Sequence, residues 1–155
     1  MQGMLTAGDR GLVMVVDDDA MSRLTTSEAL RQAGFDVLEA QSGEEAVQAF
    51  TGHDVDLVLL DVMMPGIDGF ETCRRLRMEP RAQLVPVVMM TGLDDVDSIT
   101  RAYDLGATDF ISKPINLTVL RYRVQYILRS ARTARELTSR EAQLAAAQRI
   151  AKLGH

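Results

Sequence analysis

Asp56-Leu57-Val58-Leu59-Leu60-Asp61-Val62-Met63-Met64-Pro65-Gly66-Ile67-Asp68-Gly69 is the stretch from which the rest of the chain can be read. A short apolar run followed by a Pro-Gly turn predicts a strand buried on both faces of a parallel sheet. Asp61 stands where the run stops. The same event recurs along the chain. Asp17 and Asp18 follow Leu12-Val13-Met14-Val15-Val16, Thr91 follows Val87-Val88-Met89-Met90, and Lys113 follows Phe110-Ile111-Ser112. In open α/β sheets the ligand site lies beyond the carboxyl ends of the strands. Four strand ends would then bring carboxylates, a hydroxyl and an ammonium to one rim, a set suited to a metal ion and a phosphoryl group.

Between these runs the helical patterns fall in order. Strands are predicted near 12–17, 36–40, 56–60, 86–90 and 108–112. The first helix, about 20–33, is stopped by Gly34. The second starts at Ser42, with Glu45 completing a capping box, and ends at Gly52. Asp68 caps a third, on which Phe70, Cys73 and Leu76 share a face. The fourth, about 94–105, opens on Asp94, Asp95 and Asp97 and ends at Gly106. Strand and helix alternate five times, so the predicted class is α/β with a parallel sheet covered on both sides. From Leu117 to Leu153 there is neither glycine nor proline. Leu117, Leu120, Val124, Ile127 and Ala131 step at helical spacing and should pack on the sheet. Past Ser130 the stripe weakens to Ala134, Leu137, Glu141, Leu144, Gln148 and Ala151, which reads as a linker helix able to pair with a copy of itself. The chain divides into a flexible lead at 1–10, a domain at 11–132, and a linker or signalling helix at 133–155 toward an output domain.

Bulk properties bound the function. The chain has 155 residues, 46% of them apolar, and a net charge of −5. Residues 1–116 carry 9 Lys+Arg against 20 Asp+Glu, whereas residues 117–155 carry 8 against 2. The basic tail reads as a solvated helix face, and no nucleic-acid binding is expected of it. No run is apolar enough for a membrane helix, and the first residues lack a signal-peptide pattern. A single cysteine, Cys73, allows no internal disulfide. These features predict a cytoplasmic protein. Only Lys113 and Lys152 are lysines among many arginines, so Lys113 stands apart from the background composition.

The rim residues suggest specific chemistry. Asp17, Asp18 and Asp61 would form a hard-oxygen cluster for Mg2+, which relieves the repulsion of close carboxylates. The Asp61 carboxylate could then attack a phosphoryl donor, with Lys113 supplying positive charge, Thr91 a hydroxyl, and Gly92 an uncluttered approach. A single aspartate at a strand end is ordinarily a helix cap, and Asp19 and Asp68 are read that way. No P-loop and no Gly-x-Gly-x-x-Gly follow the first strand. Asp61-Val62-Met63 lacks the second acid that an aspartate-based phosphatase uses.

Val15-Val16-Asp17-Asp18-Asp19, Asp61 through Gly69, Met90-Thr91-Gly92, Gly106-Ala107-Thr108-Asp109-Phe110 and Lys113-Pro114 together resemble the receiver domain of two-component response regulators, over about 11–132. The resemblance implies a flavodoxin-like, doubly wound five-stranded sheet in the order 2-1-3-4-5. It implies that Asp61 accepts a phosphoryl group from a histidine kinase or phosphotransfer protein. Mg2+ would be held by Asp61, directly by Asp18, through water by Asp17, and by the backbone carbonyl of Met63. Thr91, Gly92, Lys113 and Phe110 would bind the phosphoryl group or switch with it, and a cis peptide before Pro114 would orient Lys113. The face of the fourth helix, fifth strand and fifth helix would change its binding preference, and either that face or the terminal helix could form a homodimer. Met63 and Leu93, both apolar, would slow self-dephosphorylation. Residues 139–154 resemble the lead-in to a PAS domain, as in multidomain regulators with cyclic-di-GMP outputs. A turnover enzyme is not expected. The competing readings are a small aspartate-nucleophile phosphatase and a structural dimerisation module with a vestigial site.

Overall fold

The computed structural model describes residues 11–92 and 95–153; Leu93, Asp94, the lead at 1–10 and the last two residues lie outside the described residues. Five strands alternate with five helices: β1 Leu12–Val16, α1 Ala20–Gln32, β2 Asp36–Ala40, α2 Gly43–Thr51, β3 Leu57–Asp61, α3 Gly69–Arg77, β4 Val87–Thr91, α4 Val96–Asp104, β5 Asp109–Ser112 and α5 Leu117–Leu153. The strands are all parallel, in the order β2-β1-β3-β4-β5. This is the doubly wound, flavodoxin-like arrangement expected from the sequence.

Period-two alternation sorts the strand side chains into two cores. Met14, Val16, Val58, Leu60, Val87 and Met89 face Phe50 of α2, Phe70, Cys73 and Leu76 of α3, and Ala102 of α4. Val13, Val15, Leu57, Leu59, Val88 and Met90 face Leu30 of α1 and Leu120, Val124, Ile127 and Leu128 of α5. Each fully buried large apolar side chain contributes roughly 1.5–3 kcal/mol, so this alternation fixes the register of the central strands. The register brings Asp61 opposite Met90 and Thr91 opposite Ser112.

Asp19, Ser42 and Asp68 cap their helices as read from sequence, each accepting a backbone N–H three residues on. Asp95, read as part of the fourth helix's first turn, is instead its N-cap, accepting the Ser98 N–H, so α4 begins at Val96. Gly34, Gly66 and Gly106 adopt positive φ. The strand boundaries differ from the sequence reading by a residue. β3 includes Asp61, and β4 begins after Pro86, whose missing N–H suits it to the position before the ladder.

A short 3-10 turn at Pro80–Ala82 was not expected, and neither was the residue that organises it. Arg77, at the end of α3, is half-buried and pairs with no carboxylate among the described residues. Its guanidinium donates to the carbonyls of Ala82, Val85 (2.6 Å) and Gly106 (2.9 and 2.7 Å). One side chain thus joins the end of α3, the α3–β4 connection and the turn into β5.

The fifth helix runs 37 residues without interruption, a length of about 55 Å at 1.5 Å per residue. Leu120, Val124 and Leu128 are buried against the sheet. Farther along, Arg135 still reaches Asp56 at 3.8 Å, and that aspartate in turn accepts the N–H of Leu12 at the start of β1. Beyond it Leu137, Leu144 and Ile150 are exposed. No helix among the described residues is long and apolar enough to cross a membrane.

Candidate functional site

The same alternation that builds the core carries over into the rim. Asp17 continues the parity of Val13 and Val15, Asp61 that of Leu57 and Leu59, and Lys113 that of Ile111. The three side chains therefore converge on one side of the sheet's carboxyl edge. Lys113 Nζ lies 3.3 Å from Asp61 Oδ1 and 3.7 Å from Asp17 Oδ2. Carboxylate oxygens of Asp17, Asp18 and Asp61 lie within 4.8 Å of one another. Asp17 and Asp61 are buried and Asp18 is exposed, so the cluster opens to solvent on the Asp18 side.

Such a cluster is electrostatically costly with Lys113 as its counter-charge. Burial pushes the Asp61 carboxyl up to about 6; Lys113 pulls against this, Asp17 adds to the rise, and a hydrogen bond from the Met63 backbone lowers it again. Asp17 is tied down from α1. Its Oδ1 accepts the Asp19 N–H at 2.9 Å, its Oδ2 the Ser22 hydroxyl at 2.7 Å, and its carbonyl the Arg23 guanidinium at 2.8 Å. Three hard oxygen donors around one open point are the ligand chemistry that Mg2+ requires, with water completing the octahedron. The residues present fit the ion.

Thr91 is fully buried at the end of β4, and its carbonyl accepts the Lys113 N–H at 2.8 Å. Phe110, opposite Met89 and diagonal to Thr91, is partly buried against the α2–α3 side of the sheet. A Cβ built on Gly92 meets nothing within 4 Å, so the space there is open. Met63 is 62% exposed above the strand end. The Lys113–Pro114 peptide is cis. Leu93 lies outside the described residues.

Two residues that shape the site were missed as functional in the sequence. One is Ser22, which only the helical turn after Asp19 brings back to Asp17. The other is Gly69, whose N–H donates to the Val62 carbonyl at 2.8 Å. A Cβ at Gly69 would fall 2.5 Å from the Asp61 carbonyl oxygen and 2.6 Å from Val62 Cα. Helix α3 can start directly beneath the strand end that carries Asp61 only because this position has no side chain. Gly69→Ala is expected to cost about 2–3 kcal/mol by overpacking against backbone and to disturb Asp61. Urea denaturation of the variant checks this, and a wild-type midpoint would refute it.

Comparison with known proteins agrees with this geometry. The response regulator receiver domain family matches residues 13–125. The chain belongs to that family and is thus a receiver domain of two-component signalling. The transcriptional regulatory protein AfsQ1 of Streptomyces coelicolor is 38% identical over 118 residues, covering 76% of this chain and 51% of that protein. A cyclic di-GMP phosphodiesterase of Thermotoga maritima is 37% identical over 118 residues, covering 76% of this chain and 31% of that protein. The crystal structure of the chemotaxis protein CheY4 of Vibrio cholerae matches with a TM-score of 0.74 at 30% identity, covering 76% of this chain and 98% of that one. The chain spans about half or less of the length of the curated relatives it matches.

Proposed function

We propose that Asp61 is the phosphoacceptor of this receiver and that its partner is a histidine kinase or a histidine phosphotransfer protein. The observation that carries this reading is the buried Asp61 carboxylate 3.3 Å from Lys113 beside two further carboxylates. An Asp61 oxygen attacks phosphorus in line, the bond to the donor's imidazole nitrogen breaks, and the imidazole leaves with a proton from solvent. Asp17, Asp18, Asp61 and the Met63 carbonyl would hold Mg2+, Asp17 through water. When bound, the ion neutralises charge on the phosphoryl oxygens. Lys113 supplies a second positive charge, and the Thr91 hydroxyl donates to the phosphoryl group once it is in place. Gly92 keeps the entry open.

Thr91 and Phe110 share a sheet face, so movement of Thr91 toward the acyl phosphate alters the packing that Phe110 meets. The equilibrium is biased by contacts that exist only in the phosphorylated state. Its readout is the α4–β5–α5 face and the long helix, through a homodimer or a following output domain. The match to a phosphodiesterase in Thermotoga maritima keeps a cyclic-di-GMP output, entered through a PAS domain, among the readings of the tail. The site works in the cytoplasm, where histidine kinases expose their phosphorylated side chain. A turnover phosphatase is disfavoured because Met63 occupies the position where such an enzyme places its acid. The test is magnesium-dependent, stoichiometric labelling by a small phosphodonor; repeated release of phosphate from phosphoesters would favour the enzyme instead.

Met63 makes a further prediction. An exposed thioether offers an attacking water no strong hydrogen bond. Met63→Asn is expected to shorten the phosphoryl lifetime severalfold, measured by loss of label after the donor is removed. An unchanged or longer lifetime would remove the proposed tuning role.

A further inference from the structure

We propose that Ser22 is a positioning residue for the divalent-cation site, holding the Asp17 carboxylate toward Asp18 and Asp61 and away from Lys113. This rests on the reading of the acidic cluster as a magnesium site. Ser22 uses both of its donors on the Asp17-Asp18-Asp19 run. Its hydroxyl donates to Asp17 Oδ2 at 2.7 Å, and its backbone N–H donates to Asp19 Oδ2 at 3.0 Å. The two outer aspartates are thereby tied to the first turn of α1; Asp17 is buried, whereas Asp18 and Asp19 are exposed.

Among the described residues, one group competes with Ser22 for the Asp17 carboxylate. Its Oδ1 is taken by the Asp19 N–H at 2.9 Å. Its Oδ2 lies between the Ser22 hydroxyl at 2.7 Å and the Lys113 ammonium at 3.7 Å. A charge-assisted hydroxyl bond is short and directional, and it fixes the carboxylate plane. Without it, the nearest donor to Oδ2 is Lys113, which needs only a small movement to close a direct pair. That movement takes the ammonium from Asp61, where it sits at 3.3 Å. It also turns an oxygen of the cluster from the ion to the lysine. Ser22 thus keeps Asp17 for the cation and Lys113 for Asp61.

Groups that orient metal-binding residues typically contribute 10–100-fold to affinity. Ser22→Ala is expected to raise the Mg2+ dissociation constant of the metal-free protein about tenfold, measured by titration calorimetry. Ser22→Thr restores the hydroxyl and should recover most of the affinity. Its extra methyl has room, because Ser22 lines a cavity of about 330 Å³ with Met21, Thr25, Lys113 and Pro114. Ser22→Val matches threonine in shape and should bind like Ala. In the labelling reaction, half-saturating magnesium should rise in Ser22→Ala while the rate at saturating magnesium changes less.

Equal magnesium affinity in wild type and Ser22→Ala would overturn the positioning role and leave the magnesium site standing. So would equal weakening in the Thr and Val variants, since packing alone would then explain it. If the wild-type protein itself binds no Mg2+, this proposal and the reading of the site fall together.

Discussion

Asp61→Asn is expected to abolish covalent phosphoryl uptake while leaving the fold intact. Asparagine keeps the shape of the side chain but replaces the anionic, nucleophilic carboxylate with a neutral amide. Intact-mass analysis after treatment with a small phosphodonor and Mg2+ should find one added phosphoryl group on the wild-type chain and none on the variant. Label persisting in Asp61→Asn would place the nucleophile elsewhere and sink the proposed mechanism. The same substitution has a thermodynamic signature. Burial raises the Asp61 carboxyl from 3.8 to about 6. A group whose folded pKa exceeds its unfolded value stabilises the protein below the unfolded value, and that contribution is lost as pH rises through the folded value. Metal-free wild type should therefore lose stability between about pH 4 and pH 7, by an amount on the order of 3 kcal/mol. Asp61→Asn should lack that slope, and adding Mg2+ to wild type at neutral pH should recover stability. Urea titrations across this range decide it: identical slopes in the two proteins would contradict the buried, perturbed carboxyl.

The largest expected loss of stability away from the site comes from Arg77→Met. Methionine matches the length and apolar stem of arginine, so packing is largely kept. What disappears is the set of donors to Ala82, Val85 and Gly106. The Ala82 carbonyl keeps the Val85 N–H at 3.1 Å, whereas the Val85 and Gly106 carbonyls lose the guanidinium, at a cost of about 1–3 kcal/mol for each one left without a partner. A groove of about 650 Å³ lined by Arg77, Val85 and Thr108 admits water and offsets part of this. A net loss of about 3 kcal/mol is expected, seen as a lower urea midpoint with an unchanged slope. Arg77→Lys should recover only part, because one ammonium cannot reach three separate carbonyls with a guanidinium's fork geometry. A variant within about 0.5 kcal/mol of wild type would show that these carbonyls find other partners.

These two residues illustrate what a sequence makes legible. Asp61 could be found because the end of an apolar strand is a local signal, and parallel topology sends every such end to the same rim. Lys113 stood out against a background of arginines and a following proline. Arg77 carries no such mark. It is one of three arginines within Arg74-Arg75-Leu76-Arg77, and only the return of the chain at Gly106 gives it acceptors. Ser22 was hidden similarly, since its role depends on a helical turn folding back on a carboxylate five residues earlier. Gly69 was visible as a letter in a motif, but the clash that requires it involves backbone atoms of the preceding strand. Strand order and core faces follow from periodicity; keystone contacts follow from where loops meet, which periodicity does not encode.

The uninterrupted α5 has a mechanical consequence. Its root is gripped from Leu120 to Leu128 by the sheet and again where Arg135 meets Asp56, so the shaft has two bearings and little freedom to pivot between them. Any twist or tilt of the globular body is handed to the free end undiminished. Over the ~18 residues past Arg135, at ~1.5 Å each, a rotation of ten degrees (on the order of one helix–sheet adjustment) sweeps the tip by roughly 5 Å. Whatever is fastened there experiences a displacement larger than a side chain's width, produced without bending a single helical turn.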